Sequence, residues 1–344
     1  MTVQKTSGES LRHTEGKEDR EGEERQDGQE RQQRQPNSQS NSRPNRQPNI
    51  RPIQKEPSQP TLQLPDGTAM PRLGMGTWHL AEGQRPESQE IAALQTGLDH
   101  GMTLIDTAEM YADGMAESLV GQAIKGRDRS KLFLVSKVYP HHAGRRFLRQ
   151  SLEASLRRLG TDYLDLYLLH WRGSIPLAET VECMEQAKAD GLIRNWGVSN
   201  FDTADMKELF ATPGGDGCAV NQDLYHLGSR GVEYDLLPWM DAHGIPLMAY
   251  CPLAQAGTLR NGLLSSPVVR QIAAAHADQG ITPMQVLLLF VLHRDDTIAI
   301  PCTGSSEHML ANLRVQDVTL STDEMAALSR AFPAPTSKVP LDMQ

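Results

Sequence analysis

No apolar run in this chain of 344 residues is longer than seven, Val286 to Leu292. A membrane-spanning helix needs about 20, so the sequence predicts no transmembrane segment. Cysteine is scarce as well. The four thiols, Cys183, Cys218, Cys251 and Cys302, lie far apart, with no CxxC pair and no Cys/His cluster. That pattern excludes a disulfide scaffold and a zinc site and points to a reducing compartment. Positive charge is in deficit, 34 Lys and Arg against 43 Asp and Glu. A nucleic-acid-binding body needs a basic face, and this balance speaks against one. Aromatic residues make up 5% and hydrophobic residues 38%. These are low for a globular chain, so part of the chain belongs to no core.

That part is the N-terminal stretch. Residues 1–60 contain no Phe, Trp or Tyr and only five of Val, Ile, Leu and Met. Such a segment cannot bury enough apolar surface to offset its ordering entropy, so residues 1–58 are read as a disordered low-complexity tail. Its first 30 residues hold nine acids and five bases, whereas 31–55 hold six bases and no acid. An acid-rich start without an apolar core resembles neither a secretory signal nor a transit peptide. The tail reads as a solvated extension; the alternative is an anion- or partner-binding arm.

Residues 59–344 read as one folded body. Short β-rich apolar runs alternate with amphipathic stretches of helical period. The pattern predicts strands at 73–76, 103–106, 132–137, 164–170, 196–199, 219–222, 246–250 and 297–301. Helices are predicted at 86–100, 115–125, 145–159, 177–189, 202–210, 232–243, 267–277, 282–293, 306–313 and 322–331. Strand–helix alternation argues a parallel sheet with helices outside. Eight units in roughly 250 residues is the count of a (β/α)8 TIM barrel. Leu62–Met70, with Pro65-Asp66-Gly67 at its centre, reads as a hairpin closing the barrel bottom.

In such barrels chemistry sits at the C-terminal ends of the strands. Asp106 and Lys137 end neighbouring strands, and each is a poor place for an isolated charge, so they are expected to pair. Tyr111 lies in the loop after Asp106, and His170 ends the fourth strand. A cation beside Tyr111 is expected to lower the phenol's pKa from about 10 and ready it to donate a proton. His170 adds a donor that orients a carbonyl. Taken singly, each residue has a plainer role as a cap, a packing ring or a surface lysine; together they suit carbonyl reduction. No side chain supplies hydride, so a nicotinamide cofactor is implied. The GxGxxG fingerprint fails, because His79 stands where Gly74-Met75-Gly76 would require its third glycine. His141-His142 lacks a third ligand at sensible spacing and reads as exposed loop rather than metal site.

The motifs GMGTW at 74–78, LIDTAEMYADG at 104–114, LVSKVYP at 134–140, DYLDLYLLHW at 162–171 and GVSNF at 197–201 follow one another in order. NQDLYHL at 221–227, MAYCPLAQ at 248–255 and IPCTGSSEHMLANL at 300–313 complete the series. Over residues 61–335 the chain resembles the aldo-keto reductases, in details such as AEMYADG most closely their bacterial methylglyoxal or small-aldehyde branch. The resemblance implies a catalytic tetrad of Asp106, Tyr111, Lys137 and His170, with Tyr111 as proton donor. It implies that Ser199, Asn200 and Gln222 hold the nicotinamide carboxamide, that Tyr250 stacks on the ring, and that Cys251 and Leu253 line the path of the cofactor. Around the adenosine 2′-phosphate the family places Lys, Ser/Thr, Arg and Asn; here those positions are Cys302, Thr303, His308 and Asn312. NADPH is therefore the expected cofactor, with a narrowed margin over NADH, because Cys302 and His308 replace the usual Lys and Arg. Trp78, His79, Tyr139 and Trp171 would wall the substrate site. The short segment after the last helix implies an open pocket. The resemblance further implies a small carbonyl substrate, no nucleic-acid or membrane partner, no metal, and a monomeric cytoplasmic enzyme. Two other readings are a non-catalytic redox-sensing protein on the same barrel and a phosphate-binding barrel lyase or isomerase, for which the loops offer only a partial glycine-rich phosphate site.

Overall fold

The computed structural model describes residues 59–344; the expected disordered tail, 1–58, lies outside them. The first two strands, β1 (Thr61–Gln63) and β2 (Ala69–Pro71), pair antiparallel across the predicted turn. Asp66 Oδ1 accepts from the Thr68 N–H at 2.9 Å, and Gly67 takes the left-handed φ of +83° that the turn requires.

The barrel then follows as β3 (Gly74–Gly76), α1 (Glu87–Asp99), β4 (Leu104–Asp106), α2 (Met115–Ile124), β5 (Phe133–Val138), α3 (Leu148–Leu159), β6 (Leu164–Leu169) and α4 (Leu177–Ala189). Its second half is β7 (Ile193–Ser199), α5 (Thr203–Phe210), β8 (Asn221–Leu224), α6 (Leu236–His243), β9 (Leu247–Tyr250), α7 (Thr258–Ser265), α8 (Pro267–Ala275), α9 (Pro283–Leu292), β10 (Thr297–Ala299), α10 (Ser306–Leu313) and α11 (Thr322–Ala331). Strands β3 to β10 form one parallel sheet in sequence order. Parallel bridges Leu73–Ala299 and Gly76–Cys302 join its last strand to its first. The result is the (β/α)8 barrel expected from the alternation.

Two apolar layers hold it. Inside the barrel, Leu104, Phe133, Val135, Leu166, Leu168, Val220, Met248 and Ile298 pack with Leu62, Leu64 and Met70 of the hairpin, which fill the end where the strands begin. Between sheet and helices, the alternate residues Ile105, Leu134, Tyr167 and Val198 pack against the helical faces. A strand buried on both sides reads as an unbroken apolar run, and β5 is buried at all six positions.

Several boundaries differ from expectation. Strand β8 starts two residues late, at Asn221 rather than Ala219. Helix α7 was not foreseen, because Thr258–Ser265 carries polar residues and a glycine and buries only Leu263. His142, expected in solvent, is half-buried, with Nδ1 at 3.1 Å from Glu109 Oε1. The segment after α11 does not leave the cleft open. It returns across the barrel mouth, where Lys338 Nζ reaches Asp202 at 3.2 Å and Asp235 at 3.3 Å, and Asp342 accepts from Ser229. Gln344 then lines the cleft beside Cys251.

Candidate active site

Side chains of a strand alternate between its two faces. The parity that turns Phe133 and Val135 inward turns Lys137 inward too. The same rule carries Asp106 after Leu104, His170 after Leu168, Gln222 after Val220, Tyr250 after Met248 and Cys302 after Ile300. The polar residues at the ends of these apolar strands therefore converge on one mouth of the barrel.

Lys137 is fully buried. Its Nζ donates to both oxygens of Asp106, at 2.9 and 2.7 Å, to the Thr107 carbonyl at 2.8 Å and to the Tyr111 hydroxyl at 3.1 Å. Gln222 Nε2 donates to Asp106 Oδ1 at 2.9 Å, and Thr77 Oγ1 donates to the Asp106 carbonyl at 3.0 Å. Tyr111 is held by a tight loop in which Ala112, Asp113 and Gly114 all have positive φ. His170 meets the Tyr111 ring edge-on, with centroids 5.7 Å apart, and its Nδ1 is buried without a partner among the described residues.

Burial dominates the titration of this group. It raises Asp106 and lowers Lys137, each opposed by the other's charge. It pushes the Tyr111 phenol well above its ordinary range, with the Asp106 charge adding to the rise. The expected lowering of Tyr111 is thus overturned: Asp106 neutralises Lys137 at contact distance, and a buried phenolate loses its water. His170 is pushed down to about 2, by burial and then by Lys137, so its imidazole is neutral.

Asp106 and Tyr111 line a cleft of about 610 Å³, together with Trp78, His79, Tyr250, Cys251, Leu253, Thr303 and His308. A larger groove, about 840 Å³, opens between the C-terminal ends of α2 and α3, at the opposite end of the barrel, and touches none of this group. At the cleft wall the Tyr250 hydroxyl donates to Asn200 Oδ1 at 2.8 Å, and Asn200 Nδ2 donates to Ser199 Oγ and the His170 carbonyl, both at 3.1 Å. The Ser199 hydroxyl donates to the Gln222 carbonyl at 2.8 Å. Cys302 Sγ donates to the Trp78 carbonyl at 2.9 Å. Trp171 packs beside His170 and Tyr139. Asn312 is buried on α10 and does not line the cleft.

Among the cleft residues that the sequence did not single out are both of its arginines. Arg260 of α7 donates to the carbonyls of Leu253 and Ala254 and holds the loop after β9. Arg85, in the loop after β3, lies against Gly304. The only signal for either was a basic residue in a loop flanking a strand end.

Of the residues expected to hold a nicotinamide ring, Tyr250 lines the cleft and is half-buried, whereas Ser199, Asn200 and Gln222 do not line it and are bonded to one another, to Tyr250, to the His170 carbonyl and to Asp106.

Comparison with known proteins agrees with the geometry. The aldo/keto reductase family model matches residues 72–332. Over 285 residues the chain is 54% identical to methylglyoxal reductase YeaE of Escherichia coli K12, covering 83% of this chain and 99% of that one. An aldo-keto reductase of Mycolicibacterium vanbaalenii is 36% identical over 278 residues, covering 78% of this chain and 91% of the relative. A crystal structure of a Klebsiella pneumoniae aldo-keto reductase in complex with NADPH superposes with a TM-score of 0.79 at 53% identity, covering 83% of this chain and 99% of that one. The chain is a member of the aldo/keto reductase family.

Proposed function

We propose that this protein reduces small aldehydes and ketones, α-dicarbonyls of the methylglyoxal type among them, to alcohols at the expense of NADPH, with Tyr111 as proton donor. The observation that carries the assignment is the Lys137 ammonium 3.1 Å from the Tyr111 hydroxyl and within 2.9 Å of Asp106, at the floor of the cleft. The relatives' names and the NADPH held by the Klebsiella structure support the substrate class and the cofactor.

Bound NADPH supplies the hydride that goes to the carbonyl carbon. The remaining steps belong to the chain. Tyr111, kept protonated by burial, gives its proton to the developing alkoxide, a far stronger base than a phenolate. The phenolate left behind accepts the Lys137 N–H bond, which offsets its desolvation, and it is reprotonated from solvent. Asp106 holds Lys137 in place. His170, neutral throughout, offers an N–H that orients the carbonyl oxygen without competing for the proton. Trp78, His79, Tyr139 and Trp171 wall the substrate. Four free thiols suit a reducing compartment, and we place the enzyme in the cytoplasm, as a monomer.

Tyr111→Phe tests the reading. It should cut turnover of methylglyoxal with NADPH by more than tenfold and leave the cofactor's Kd nearly unchanged. Retention of more than a tenth of the parent's turnover (read as NADPH absorbance loss) would remove Tyr111 from the mechanism.

A further inference from the structure

The cleft runs from the Asp106–Tyr111 floor to a rim formed by Arg85, Thr303, Gly304 and His308. Cys302 cannot serve that rim as a cation, and its thiol is turned to the Trp78 carbonyl. His308 is exposed, with Nδ1 3.5 Å from Thr303 Oγ1. Arg85 is different. It leaves the β3–α1 loop and runs alongside Gly304: a Cβ on that glycine would stand 2.9 Å from Arg85 Cδ and 3.5 Å from Nε. Glycine at 304 is what makes room for the arginine stem.

The guanidinium has no hydrogen bond and no ion pair among the described residues. Neither nearby acid pairs with it: Glu90, whose Cγ also lies against Gly304, accepts the Ala81 N–H through Oε2 at 2.9 Å, and Glu82 pairs with His79 at 3.0 Å. The other arginine of the cleft, Arg260, is committed to the Leu253 and Ala254 carbonyls. The loop is held in place from below. Pro86 caps α1, and Thr96 of α1 donates to Ser306 of α10 at 2.9 Å, tying both sides of the rim together. An exposed, unpaired guanidinium lining the same cleft as an imidazole and a threonine hydroxyl is a receptor for a phosphate monoester, whose oxygens match the planar fork.

We infer that Arg85 binds the adenosine 2′-phosphate of NADPH, supplying from the β3–α1 loop the cation that position 302 lacks, with Thr303 and His308 completing the cradle. The inference rests on the proposed cofactor: the reactive ring at the tetrad places the far end of the dinucleotide at this rim. It makes Arg85, rather than any group after β10, the determinant of preference for NADPH over NADH.

Equilibrium binding tests it without turnover, through quenching of tryptophan fluorescence, with Trp78 in the cleft as reporter. Charge-assisted hydrogen bonds contribute about 1.5–3 kcal/mol, less when exposed, so Arg85→Ala should weaken NADPH by roughly tenfold. Adenosine 2′,5′-bisphosphate should weaken in parallel. NADH should change by less than about twofold, since it lacks the group. Arg85→Lys should recover part of the loss, as a point charge replaces the fork. The melting temperature should not move, because the side chain makes no internal bond. Equal weakening of NADPH and NADH would assign Arg85 to the shared pyrophosphate and overturn the inference, as would no change in either. If the parent itself failed to bind NADPH, the failure would lie with the proposed cofactor and would show before any Arg85 variant was made.

Discussion

Replacing Asp106 by Asn and Lys137 by Met, one at a time, should destabilise the barrel with opposite pH dependence. At an effective dielectric of about 20, unit charges 2.7 Å apart attract by ~6 kcal/mol. Removing one partner of a buried pair costs about 3–5 kcal/mol, because the other charge is left in a site without water. The remaining group escapes by changing its protonation. In Asp106→Asn, Lys137 loses the carboxylate that opposes its downward shift, so its folded pKa falls further below 10.5. Between that pKa and 10.5 the unfolded chain binds the extra proton, and stability rises with pH. In Lys137→Met, Asp106 loses the charge that opposes its upward shift. Between 3.8 and its raised folded pKa the folded chain binds the extra proton, and stability falls as pH rises. Urea unfolding from pH 5 to pH 9 reads both slopes. Asp106→Asn should be weakest at pH 5 and recover toward pH 9, and Lys137→Met should do the reverse. The double variant Asp106→Leu/Lys137→Met should sit closer to the parent than either single variant, with neither slope. Slopes of the same sign, each taken relative to the parent, would refute the argument. So would single losses no larger than the ~1 kcal/mol of an exposed ion pair.

Two further outcomes follow from neighbouring residues. Asp223 of β8 points to the helix layer, fully buried, and neither carboxylate oxygen has a hydrogen bond of good geometry among the described residues; the nearby Asn200 N–H and Asn221 amide, which oppose the rise in its pKa, donate to the Gln222 and Phe201 carbonyls. Burial, with Asp205 and Asp202 nearby, raises its pKa well above 3.8, so parent stability falls as pH rises from 3.8 toward that value. Asp223→Val should therefore stabilise the protein by about 1–3 kcal/mol at pH 7.5 and by less near pH 4, measured by urea unfolding; a variant less stable than the parent at pH 7.5 would mean that the carboxylate is satisfied. Cys302→Lys should tighten NADPH about 10- to 150-fold and leave NADH almost untouched in the same binding assay. Equal tightening of both would place the 2′-phosphate elsewhere.

The barrel was legible in the sequence because a strand buried on both faces must be apolar throughout, and such runs stand out between amphipathic helices. LFLVSK at 132–137 shows this: five residues that belong inside, then a lysine. The same reasoning reached the pairing of Asp106 with Lys137, since two charges at the ends of adjacent apolar strands have nowhere else to find partners. Composition also marks residues 1–58 off from the body, an expectation that lies outside the described residues. Where the outcome depended on distances rather than residue types, sequence logic reached no further. Helix α7 turns a weakly patterned stretch into the arm that carries Arg260, and periodicity has little to detect where one residue in eight is buried. The sign of the Tyr111 shift depended on how closely Asp106 screens Lys137 and how little water reaches the phenol, and both are consequences of packing. The segment after α11 crosses the mouth because Lys338 meets Asp202 and Asp235, three residues brought together only by barrel closure. Arg85 is the clearest case. In the sequence it is one arginine in a polar loop, 219 positions before Gly304. Only the curvature that seats the last strand against the first puts that loop beside the one after β10, where a missing Cβ lets the arginine lie along the cleft.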